Sequence, residues 1–130
     1  MTAPRAITVD LPLPARELHQ NFRSDRSRMA TWRAEQAARM AARLAGFQAA
    51  RGIEEQWTRC AATFTFRFPD KRRRDLSNAL AACKAYQDGI VDGACAVIAD
   101  DSLITEIHAT ATVDRTNPGV RIVITKAEGG

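Results

Sequence analysis

Carboxylates and cations crowd one stretch of this chain. From Phe68 the sequence runs Phe-Pro-Asp-Lys-Arg-Arg-Arg-Asp-Leu-Ser-Asn, and at Ala99 to Ser102 it reads Ala-Asp-Asp-Ser. Carboxylates therefore stand at two places, Asp75 and the pair Asp100 and Asp101. Four consecutive cations, Lys71, Arg72, Arg73 and Arg74, precede the first. Mg²⁺ takes hard oxygen ligands, often one or two carboxylates completed by water and substrate phosphate. A phosphodiesterase uses such an ion to activate water and to steady the leaving oxygen, while nearby cations hold the backbone being cut. Each element also has a plainer reading. A Lys-Arg-Arg-Arg run suits a solvated loop, Asp75 suits a helix cap, and Asp100 and Asp101 suit a turn before a strand. Their conjunction, with Asn78 and Lys84 between them, points to a metal-assisted phosphoryl site.

Charge is distributed to match. From Arg16 to Arg51 eight Arg face three acids, whereas Asp88 to Asp114 holds six acids and no Lys or Arg. The formal net charge is +4, and 16 of the 19 basic residues are Arg, whose fork matches phosphate oxygens. This balance permits a nucleic-acid partner without establishing one. No stretch approaches the roughly 18 apolar residues of a membrane span. Cys60, Cys83 and Cys95 lack a Cys-x-x-Cys pair, which argues against a disulfide framework or a structural zinc site. No phosphate-binding Gly-rich loop and no His-Glu-x-x-His occurs, and the N-terminus does not read as a signal peptide. A reducing cytoplasm is the expected compartment.

The elements that must position these residues follow from periodicity. Ala6 to Leu11 alternates as a strand and is stopped by Pro12 and Pro14. Ala15 to Ser27 reads as a loop. A helix is predicted from about Ser27 to Ala50, with Met29, Trp32, Gln36, Met40, Leu44 and Phe47 on one face. Trp57 to Phe68 reads as a strand with Phe64, Phe66 and Phe68 on its core side. A second helix spans roughly Leu76 to Asp92, with Leu76, Leu80, Cys83, Gln87 and Ile90 buried. Strands near Leu103 to Val113 and Gly119 to Lys126 follow, joined at Asn117-Pro118-Gly119 as a hairpin. The predicted fold is a single α/β domain over residues 1–130, β-α-β-α-β-β, with one mixed sheet flanked by helices. Trp57 and the three Cys are expected to pack, His108 to lie exposed on a strand, and Trp32 to belong to the core or to a dimer interface.

Arg73-Arg74-Asp75-Leu76-Ser77-Asn78, then Lys84-Ala85, Asp88-Gly89-Ile90-Val91-Asp92 and Asp100-Asp101-Ser102, resembles the RusA family of Holliday junction resolvases. The opening Leu11-Pro12-Leu13-Pro14 followed by Asn21 is similar to that family's Pro-rich start, and the phage and prophage branch is nearest. The likeness is dense over about 35 residues and looser elsewhere. It implies a homodimeric, Mg²⁺-dependent endonuclease, with Mn²⁺ as a possible substitute, that nicks four-way junction DNA symmetrically. It assigns catalysis to Asp75, Asp101 and Lys84, and the metal to Asp75, Asp101, Asp100 and position 77. Lys71, Arg72, Arg73, Arg74, Asn78, Arg16 and Arg23 would contact DNA. The first helix and the terminal strands are the two candidate dimer interfaces.

Two positions depart from the family pattern. Ser77 stands where a second metal-site Asp belongs, removing one negative charge. Ala81 stands where one branch has a Lys. At 100° per residue Ser77, Ala81, Lys84 and Asp88 share a helix face, so Lys84 could reach the same phosphate from one turn further on. The alternative expectation is a junction-binding protein whose cutting is weak or lost.

Overall fold

The computed structural model describes residues 6–19 and 27–127. Strand β1 (Ala6–Leu11) leads through a 3₁₀ turn at Arg16–Leu18 to helix α1 (Ser27–Ala49). Strand β2 (Cys60–Phe68), helices α2 (Leu76–Ala82) and α3 (Lys84–Gly93), a second 3₁₀ turn at Asp101–Leu103, and strands β3 (Ile104–Val113) and β4 (Gly119–Lys126) complete it. The four strands form one mixed sheet in the order β1-β4-β2-β3. β4 pairs antiparallel with β1 and β2, while β3 pairs parallel with β2. The α/β class and the mixed sheet thus agree with expectation.

The hairpin does not. β3 and β4 are consecutive but not neighbours, because β2 lies between them. The Asn117-Pro118-Gly119 turn carries the chain across β2 instead. Asp114 Oδ1 accepts from the backbone N–H groups of Thr116 and Asn117 and from the Thr116 hydroxyl, which tightens this crossing. β3 is left at the sheet edge, exposed along most of its length.

One sheet face is apolar. Ile7, Val9 and Leu11 of β1, Val120, Ile122 and Ile124 of β4, and Cys60, Ala62, Phe64 and Phe66 of β2 are buried beneath the helices. Trp57 is buried as expected, its backbone N–H donating to the Val97 carbonyl at 2.8 Å. Cys60 and Cys83 are buried, but Cys95 is exposed, contrary to the expectation for all three.

The second predicted helix is two helices. At Cys83 the backbone leaves α-helical geometry (φ −88°, ψ 4°), its N–H donates to Leu80 O, and its carbonyl starts the next turn by accepting from Gln87 N. Burial follows this bend. Ala79, Cys83, Tyr86 and Ile90 are buried, while Leu76, Leu80 and Gln87 are only half-buried.

Helix α1 turns its small residues inward. Its buried residues are Ala38, Ala42 and Gly46, packed against α3, and the predicted apolar face turns to solvent. Small residues win because the two helices approach closely. A Cβ on Gly46 would lie 2.7 Å from Ile90 O, and one on Gly89 would lie 2.5 Å from Arg39 O. Leu or Phe at those contacts would push the backbones apart.

Candidate functional site

The strand–loop–helix unit from β2 to α2 carries most of the predicted site. β2 ends at Phe68, and Pro69 cannot donate to a further ladder bond. Asp70 then shapes the loop. Its carboxylate accepts from Arg72 N at 2.9 Å and pairs with Arg74 at 2.9 Å. The backbone N–H of Arg72, and then Arg74, hold the Asp70 carboxyl below its ordinary value. The Arg74 guanidinium lies 4.5 Å from the centroid of the Phe68 ring and also donates to the carbonyls of Asp70 and Arg72. This fixes one cation of the basic run, while Lys71, Arg72 and Arg73 remain exposed.

Asp75 is the N-cap of α2. Its Oδ1 accepts from Ser77 N at 2.9 Å and from Asn78 N at 3.3 Å. The plain capping reading is therefore correct, and it leaves Oδ2 without a hydrogen-bond partner among the described residues. Arg74, Asp75 and Asn78 line a cavity of about 300 Å³ with Leu13, His19 and Phe68. Ser77 is exposed beside it.

Lys84, the first residue of α3, forms the second cluster. Its Nζ lies 2.9 Å from Asp88 Oδ1 and 3.0 Å from Asp101 Oδ2. Asp88, then Asp101, raise the Lys84 ammonium above its ordinary value. Asp100 caps the 3₁₀ turn, accepting from Ser102 N at 2.8 Å. That N–H, then the Ser102 hydroxyl and Asp101, hold its carboxyl low. Asp88, Asp100 and Asp101 line an open cleft of about 290 Å³ with Arg39 and Asp92, themselves paired at 3.3 Å.

The predicted residues thus fall into two groups, Arg74–Asp75–Asn78 at the head of α2 and Lys84–Asp101–Asp100 at the head of α3. Among the described residues no three His, Cys, Asp or Glu side chains converge on one point. The predicted set of Asp75, Asp101, Asp100 and Ser77 is therefore not a preformed cage. Arg16 lies in the first 3₁₀ turn, and Arg23 lies outside the described residues.

No family profile and no curated protein matches this chain.

Two partners were missing from the sequence reading. Asp88 binds Lys84, a pairing that its i,i+4 spacing signals directly. Phe68 stacks with Arg74, which no spacing signals because the loop must fold back first. Trp32, expected in the core or an interface, is 57% exposed, and His108 is exposed on β3 as expected.

Proposed function

We propose that the protein is a divalent-cation-dependent endonuclease acting on branched DNA, with four-way junctions as its substrate and a two-fold dimer as its working unit. One observation carries the reading. A single strand–loop–helix unit holds a fixed guanidinium, three exposed cations and a capped carboxylate with one uncommitted oxygen. Lys71, Arg72 and Arg73 would grip phosphates flanking the cut, and Arg74 would hold the nearest one. The cap fixes the Asp75 rotamer, so Oδ2 presents to a cation without further ordering.

The oxygen chemistry of Asp75 suits Mg²⁺ or Mn²⁺, with water and DNA phosphate completing the shell, while Asp101 stands in the separate Lys84 cluster. When bound, the ion would lower the pKa of an attacking water and neutralise charge on the leaving oxygen. Lys84 would move its ammonium between Asp101 and a phosphate as substrate arrives.

A second reading is binding without efficient cutting. Ser77 supplies no charge, and the Lys84 ammonium already occupies the space beside Asp101 that a cation would take. The test is an end-labelled four-way junction and a matched duplex, incubated in Mg²⁺, Mn²⁺ and EDTA with wild type and Ser77→Asp. Paired symmetric nicks in the junction alone support the nuclease. Retarded but uncut junction, with cutting by Ser77→Asp, supports the binding form. Binding to neither DNA overturns both.

A further inference from the structure

The cavity beside Asp75 is walled mostly by apolar side chains, which a site for a cation and a phosphate alone would not need. It measures about 300 Å³, at the lower end of the range for ligand pockets, and Leu13, Phe66, Phe68 and Ala79 supply its apolar wall. The Phe66 and Phe68 rings lie within 5° of parallel with centroids 5.9 Å apart, and the Arg74 guanidinium covers Phe68 at 4.5 Å. Three flat groups are thus stacked in series at this wall.

Two polar side chains reach the same space uncommitted. Among the described residues neither the Asn78 amide nor the His19 ring has a hydrogen-bond partner. Asn78 serves the cap with its backbone N–H, at 3.3 Å from Asp75 Oδ1, so its side chain is left for a ligand. A carboxamide presents a donor and an acceptor side by side, and a neutral imidazole presents one of each.

Charge narrows the class of ligand. Inside the cavity Arg74 is already paired with Asp70 at 2.9 Å, and Asp75 adds a negative charge, so the interior does not favour an anion. The surplus of positive charge lies outside, on the exposed Lys71, Arg72 and Arg73 of the same loop. The two environments together fit an uncharged flat group with mixed donors and acceptors, carried on a polyanionic chain. A nucleobase on a DNA strand has that chemistry. Its face stacks on aromatic and guanidinium planes, its edge matches a carboxamide, and its backbone delivers phosphates to the cations. Such a cavity takes a base only after that base has left the helical stack.

We infer that this cavity seats one unstacked nucleobase of the bound strand, its edge held by Asn78 and His19 and its flanking phosphates by Lys71, Arg72 and Arg73. The inference rests on the DNA reading above and names the part of the substrate that this site takes. The test uses four-way junctions in which 2-aminopurine replaces adenine at one position at a time near the branch, in EDTA so that no strand is cut. This base is dim while stacked and bright once unstacked. Wild type should brighten it severalfold at one position. Leu13→Trp fills the cavity and should abolish the rise while still retarding the same junction on gels, because the exposed cations are untouched. Asn78→Ala keeps the backbone N–H of the cap and should weaken the rise, and circular dichroism melts establish that each variant is folded. A junction that wild type retards without brightening at any position would overturn the inference and leave the nuclease reading standing. Brightening unchanged in both variants would put the unstacked base elsewhere and overturn it as well. If wild type binds no DNA in EDTA or in Mg²⁺, the inference falls together with the reading it rests on.

Discussion

Asp75 combines a structural role that the hydrogen bonds define with a chemical role that the function proposal gives it, and two substitutions separate them. Asp75→Ala removes Oδ1, which accepts from Ser77 N at 2.9 Å and Asn78 N at 3.3 Å. Loss of an N-cap acceptor costs about 1 kcal/mol. For a chain of this size that is a fall in Tm of about 3–5 °C. Asp75→Asn keeps a carbonyl oxygen at the same place, so its Tm should stay within about 1 °C of wild type, since Asn and Asp cap almost equally well. Cleavage should respond differently. Both variants lack the carboxylate oxygen offered to the cation, and both should lose junction nicking roughly a hundredfold or more, about 2.7 kcal/mol in barrier. Thermal melts followed by circular dichroism and single-turnover cleavage of labelled junction give the two numbers. If Asn melts as low as Ala, the cap does not work as described. If Asn still cuts at the wild-type rate, the carboxylate is not a metal ligand.

Gly93→Ala should destabilise the protein by about 2 kcal/mol in denaturant melts. The added Cβ would collide with Arg43 O and Phe47 N, backbone atoms that cannot yield, and overpacking outweighs the ~1 kcal/mol helix-propensity gain. A stabilised variant would show that α1 and α3 do not pack this closely. Lys84→Met should change stability by under about 1 kcal/mol, because its side chain is 60% exposed, while slowing cleavage; unaltered cleavage would remove Lys84 from the site. Burial pushes the Cys83 thiol up to about 12, and Cys60 is raised by burial too. Alkylation of the native protein at neutral pH should therefore label the exposed Cys95 alone, and labelling of Cys83 before unfolding would contradict the packing. Acid should destabilise the fold. The Arg121 hydrogen bond holds Asp10 low, and the Thr116 hydroxyl does the same for Asp114. A depressed carboxyl stabilises above its unfolded value of 3.8 and loses that contribution as pH falls through the folded value. Stability measured by urea melts should drop steadily below pH 4, and a flat profile there would refute these pairings.

Local pattern in the sequence determined the elements. Alternation set β1 and β4 at the bounds the fold displays, and a Pro after Phe68 stopped β2. The Arg-Arg-Asp-Leu-Ser-Asn series announced a capped helix start at Asp75, because capping and chain-breaking act within a few residues. Tertiary contact decided what distance in the chain conceals. The hairpin expected between β3 and β4 failed because β2 supplies β4 with a partner whose inward row of Cys60, Ala62, Phe64 and Phe66 matches the Val120, Ile122 and Ile124 row. Turn residues alone carry no information about that competition. Periodicity located an amphipathic α1 and its apolar face, but not the face that its own chain buries. A helix with large residues on one side and Ala and Gly on the other satisfies two different neighbours, and only the close approach to Gly89 and Gly93 shows which one is its own chain. The site divides in the same way. Residue types and spacing exposed the carboxylates and cations, whereas the contact of Lys84 with Asp101, 17 residues further along the chain, exists only in the tertiary fold.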